Sequence, residues 1–161
     1  MRQVRQLALK ALYEGDSTDH DPELVFERLI WEAEEAWPGV TGPGPSGYGR
    51  GAVRGVVRRC EELDTFISAA ATVYPLETMA VVDRNILRLA IWELLTDPAA
   101  PVAAVVNEAV ELAHRYSSES SPGFINGVLR TVSERIRGGS ARSEEQLPSP
   151  VLIQPQPLQE S

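Results

Sequence analysis

The 161-residue chain has one cysteine, two histidines and one lysine. Cys60 alone cannot close an internal disulfide or build a cysteine-based zinc site. His20 and His114 stand on separate elements, and neither sits in a metal-binding spacing such as H-E-x-x-H. No serine lies in a G-x-S-x-G elbow. No apolar run approaches the roughly 18 residues of a membrane span. Lys10 interrupts the first apolar stretch, so no signal-peptide pattern opens the chain. These absences predict a cytoplasmic, non-catalytic protein with no cofactor, no metal and no membrane partner. No segment alternates with a period of two for long enough to make a strand, so the expected fold class is all-α.

What is present is arginine and acid. Acidic residues number 23 and basic ones 15, for a formal charge of −8. Such a balance argues against a general nucleic-acid binder. The distribution is uneven. Residues 1–13 carry Arg2, Arg5 and Lys10 and no acid. Residues 14–36 carry nine acids against Arg28. Fourteen of the fifteen basic residues are arginine, which pairs bidentately with phosphate and stacks on bases. Genomic composition can produce the same bias.

Helical periodicity is strong. The first helix runs over 3–13 with Val4, Leu7, Ala8, Ala11 and Leu12 inward, and Gly15 ends it. Asp21–Pro22 opens a second helix as N-cap and first helical residue. Its expected inner stripe is Leu24, Val25, Leu29 and Ala33. Residues 38–49 read as a Pro/Gly-rich loop. A third helix spans about 48–71, Pro75 interrupts, and Val82–Leu95 form a strongly apolar helix. Pro101–Leu129 holds two more, with Val102, Val105, Val106, Ala109, Leu112, Ala113 and Tyr116 on one stripe. Ile125, Val128, Leu129, Val132 and Ile136 form the other. Three long helices precede Pro75 and three follow, which predicts two packed bundles with halves of about 1–73 and 74–137. Residues 138–161 turn to Ser, Glu, Gln and Pro and are expected to be a disordered tail. Gly55 and Gly127 fall inside helices, where close helix–helix approach is the usual reason. Gly42, Gly44 and Gly47 match G-x-G-x-x-G, but a helix precedes them and Pro43 and Pro45 remove backbone donors, so no dinucleotide site follows.

The remaining constellation suits binding. Arg2 and Arg5 share a helix face at i, i+3, and Arg84 and Arg88 share one at i, i+4. Phe124 lies off the main stripe of the last helix. It is either a base-stacking platform beside arginines or a cap on the core. Arg50, Arg54 and Arg58 form another i, i+4 stripe, read first as partners of the acidic second helix and second as an extended RNA path.

VVNEAVELAHRY followed by GFINGVL resembles the C-terminal signature of the NusB family of transcription antitermination factors. VVDRNILRLAIWEL resembles the family's preceding helix. Arg2, Arg5 and Ala11–Tyr13 resemble its arginine-rich opening. The resemblance covers roughly residues 2–136. It implies an all-α fold and binding to the boxA element of nascent ribosomal RNA together with NusE, a ribosomal protein, on the RNA polymerase elongation complex. It implies RNA contact at Arg2, Arg5, Tyr13, Arg84, Arg88 and Phe124, and a protein-partner contact at Asp83. The oligomeric expectation is a monomer or homodimer. Gln3, Val4 and His114 depart from the family pattern, each at the cost of fixed charge or helix-forming alanine. Two alternatives stand beside this reading: a protein-binding scaffold without RNA binding, and a stand-alone relative of the N-terminal domain of a ribosomal RNA methyltransferase.

Overall fold

The computed structural model describes the backbone of residues 1–145 and the side chains of 1–138. Seven α-helices and one 3₁₀ turn make up these residues, with no strand among them. They are α1 (Arg2–Ser17), α2 (Pro22–Ala33), α3 (Pro43–Arg58), α4 (Cys60–Ala70), the 3₁₀ turn Leu76–Thr78, α5 (Val81–Thr96), α6 (Val102–Tyr116) and α7 (Ser121–Glu145). The all-α expectation holds.

Helix α5 is the axis of the molecule. It packs against α1, α3, α4, α6 and α7. Ile86, Leu87 and Ile91 on it have no exposed surface. The helical groups before and after Pro75 close around one continuous apolar core running from Val4 to Val132. Burying a Leu or Ile side chain stabilises by about 1.5–3 kcal/mol, so this core is the main source of stability.

Local chemistry sets the helix ends. Asp21 accepts a hydrogen bond from the Glu23 amide at 2.9 Å and Pro22 occupies the first turn of α2, as expected. At the end of α1, the Thr18 hydroxyl donates to the Glu14 carbonyl. Gly15 lies inside α1 rather than ending it. A Cβ there would lie 2.3 Å from Pro22 Cγ, so glycine lets α2 fold back closely.

Several expectations are corrected. The Pro/Gly stretch is half helical: α3 starts at Pro43, because prolines at Pro43 and Pro45 give up amides that a first turn leaves unbonded. The single helix expected over 48–71 breaks at Arg59. The break lets Ala52, Val53 and Val56 face α1 and α5 while Leu63 and Ile67 turn toward α5 and α7. The inner face of α2 is Val25, Phe26, Ile30 and Ala33, and Leu24 is exposed. Gly55 does mark a close approach, since a Cβ would lie 1.9 Å from the Trp92 Nε1. Gly127 does not, with nothing within 4 Å of its Cβ position. Helix α7 continues past Gly138 to Glu145. The rest of the expected tail, 146–161, lies outside the described residues.

Candidate nucleic-acid interface

The expected site residues fall at two ends of the molecule. Arg5 near the start of α1 bonds Glu93 near the end of α5, and Asp16 near the end of α1 bonds Asn85 near the start of α5. The two helices therefore run antiparallel. Arg2 and Arg5 lie at one end, and Asp83, Arg84 and Phe124 at the other. Tyr13 lies near the second end and is 45% exposed.

At the first end, Arg2 forks onto Glu108 of α6, with Nη2–Oε1 at 3.0 Å and Nε–Oε2 at 3.3 Å. This is the side-on geometry in which a guanidinium also takes a phosphate. The hydrogen bond from Arg2 is the main reason the Glu108 carboxyl is held below its ordinary range. Arg5 is enclosed. Its Nη2 donates to Glu93 Oε1, which also accepts from the Tyr48 hydroxyl at 2.7 Å. The guanidinium lies 5.4 Å from the Tyr48 ring centre. Burial, then the bond to Glu93, pushes the Tyr48 phenol up.

At the second end, Tyr74 and Phe124 meet edge to face, with ring centres 5.4 Å apart at 79°. Tyr74 is exposed and Phe124 half-buried. They line a cleft with Met79, Ser118 and Ser120. Asp83 points into the serine turn, accepting from Ser117 Oγ at 2.5 Å and Ser121 Oγ at 2.9 Å. It is a buried carboxylate that ties α5 to the start of α7. Arg84 reaches the Leu76 carbonyl at 3.5 Å.

Arg88, expected on a polar face, is turned inward. It is 7% exposed and donates to both oxygens of Asp64 at 2.7 and 2.9 Å and to Asp16 at 3.0 Å. That network joins the end of α1 and the middle of α4 to α5. Of the α3 arginines, Arg50 pairs with Glu27 and Arg54 with Glu23, as the first reading of the stripe held. Tyr48 and Tyr74 were not singled out from the sequence. Tyr74 directly precedes Pro75, and an aromatic beside a chain-breaking proline was the available signal.

Among the described residues, no group of three His, Cys, Asp or Glu could hold a metal, and no helix is long and apolar enough to cross a membrane.

The fold is an all-α shell closed around α5, with arginines at one end and paired aromatics at the other. The transcription antitermination protein NusB of Dehalococcoides mccartyi (strain CBDB1) is 37% identical over 144 residues, covering 89% of this chain and 96% of its own. The chain belongs to the NusB family, whose model matches residues 2–134. NusB of Roseiflexus sp. (strain RS-1) is 41% identical over 138 residues, covering 84% of this chain and 93% of its own. Among solved structures, T. maritima NusB matches with a TM-score of 0.73 and 31% identity, over 83% of this chain and 89% of that one. A chain from the crystal structure of antitermination factors NusB and NusE in complex with dsRNA matches with a TM-score of 0.72 and 25% identity, over 83% of this chain and 96% of that one.

Proposed function

We propose that this chain is a non-catalytic RNA-binding antitermination factor. It takes up the boxA element of nascent ribosomal RNA together with NusE and helps the RNA polymerase elongation complex resist termination. The observation that carries this reading is the match to the structure of NusB with NusE and RNA, which spans 96% of that chain. The side chains support a division of labour. Arg2, Tyr13, Arg84 and Phe124 meet RNA. Arg5 and Arg88, held by carboxylates, keep α1 and α5 in place beneath them. Asp83 is committed to Ser117 and Ser121, so it shapes the partner-facing cleft rather than attracting NusE by charge. A charge of −8 and paired arginines give modest RNA affinity alone. A basic partner bound alongside adds phosphate contacts and raises it.

The test is boxA RNA binding in the presence of NusE. Phe124→Ala is expected to cost about 1–3 kcal/mol of affinity with little change in salt dependence, as for a lost stacking contact. Arg2→Ala is expected to flatten the slope of log affinity against log salt by about 0.7, one single-strand phosphate contact. A parent protein with no affinity for boxA RNA beside NusE would sink the reading. It would favour the scaffold alternative, to which the carboxylate-paired Arg2, Arg5 and Arg88 lend support.

A further inference from the structure

Most cations of this acidic chain are occupied. Seven arginines pair with carboxylates, from Arg2 with Glu108 to Arg88 with Asp16 and Asp64. Arg84, Arg130, Arg135 and Arg137 donate to neutral oxygens. Among the described residues, Lys10, Arg58 and Arg115 are left with neither kind of partner. Two of these three converge on one ring. Lys10 Nζ and Arg115 Cζ each lie 5.8 Å from the centre of Tyr116. The ring is itself fixed, because its hydroxyl donates to Gln6 Oε1 at 3.2 Å and Gln6 is 5% exposed. Lys10 and Arg115 are exposed.

The place of this cluster follows from the packing. Helices α1 and α6 both lie on α5, and side chains span the seam between them at Arg2–Glu108 and Gln6–Tyr116. These two contacts mean that α1 and α6 run the same way. Arg2, Gln6, Lys10 and Tyr13 recur at helical spacing and form one stripe along that seam. At 1.5 Å per residue, Lys10 lies about 12 Å beyond Arg2 on the same line. Tyr13, Lys10 and Tyr116 line one cleft there. Glu14, in the same cleft, is bound by Arg28. A cation resting on a ring is held there by the ring's negative face yet keeps its full charge. It therefore remains able to take an anion.

We infer that Lys10, Tyr116 and Arg115 form a second RNA contact, in which the two cations take backbone phosphates and the tyrosine ring holds them side by side. This rests on the RNA-binding reading above and extends the RNA path from Arg2 along the seam of α1 and α6.

The experiment measures boxA RNA affinity across a salt series in the presence of NusE, for the parent, Lys10→Gln/Arg115→Gln and Arg58→Gln. Loss of two single-strand phosphate contacts flattens the slope by about 1.4. Arg58→Gln, an equally unpaired cation on α3, leaves the slope at the parental value. Tyr116→Phe keeps the ring and stays near parental affinity, whereas Tyr116→Ser weakens RNA binding. Melting temperatures of the double variant stay near the parent because both side chains are exposed. A folded double variant with the parental slope overturns the inference while leaving the function intact. So does one that loses NusE affinity but not RNA slope, which would assign the cations to a protein acid. A parent that binds no RNA overturns both.

Discussion

Arg88 illustrates the residue scale. Its guanidinium holds two carboxylates, and among the described residues neither pairs with another cation. Arg88→Ala leaves both unpaired at a helix junction. Breaking a buried pair from one side costs about 3–5 kcal/mol. The lower end is expected, because the side chains of Asp64 and Asp16 keep 21% and 34% of their exposure and can be partly rehydrated. Urea unfolding checks this, and a loss below about 1 kcal/mol would mean that the network contributes little. The sequence disclosed that Arg84 and Arg88 share a face. It did not disclose that the face is covered, because periodicity separates apolar from polar stripes and α5 is packed on nearly every side. Asp83 was singled out as a partner contact, but its burial escaped the sequence in the same way: a lone acid in an apolar helix reads as surface unless the serines that approach it are known.

Two glycines make opposite predictions at the scale of the element. Gly55→Ala drives a methyl into Trp92, which packs edge to face on Tyr48 at 6.2 Å. Overpacking of this kind costs about 1–3 kcal/mol and outweighs the roughly 1 kcal/mol that alanine adds to a helix. Gly127→Ala meets nothing and should gain close to that 1 kcal/mol. Thermal melts of the two variants should therefore shift in opposite directions, and shifts of the same sign would contradict the packing described. Helix existence was legible from stripes and caps. The Asp21–Pro22 start was read correctly because its chemistry is local. The start of α3 at Pro43 was misread because prolines fit a loop as well as a first helical turn. The break at Arg59 was not legible, because it depends on where α1, α5 and α7 lie, which no window of sequence contains.

For the whole molecule, acid is the informative perturbation. Glu14, Glu27, Glu34, Glu62 and Glu108 are all held below the ordinary carboxylate range. The main causes are hydrogen bonds from His20, Arg50, the Gly39 amide, Arg59 and Arg2 respectively. A depressed folded value means that the stabilisation is complete above the unfolded value, about 4.3, and is lost as pH falls through the folded one. The charge of −8 acts the other way, since protonation relieves repulsion. Repulsion among dispersed surface charges is screened within about 8 Å at physiological salt, so the paired contacts dominate. Melting temperature is expected to be nearly level from pH 7 to 5 and to drop below about 4.3. A rise through that window would place the weight on repulsion instead.

The antiparallel tie between α1 and α5 has a mechanical meaning. Arg5 grips Glu93 near one end of the pair, and Asp16 grips Asn85 and Arg88 near the other. Two pins on one rod forbid sliding. Advancing α1 by a single turn, about 5.4 Å, would shear both at once and strip the Arg88 network of one of its acids. A load applied to the first helix is thus passed to the central one as a rigid push, with no slack between them.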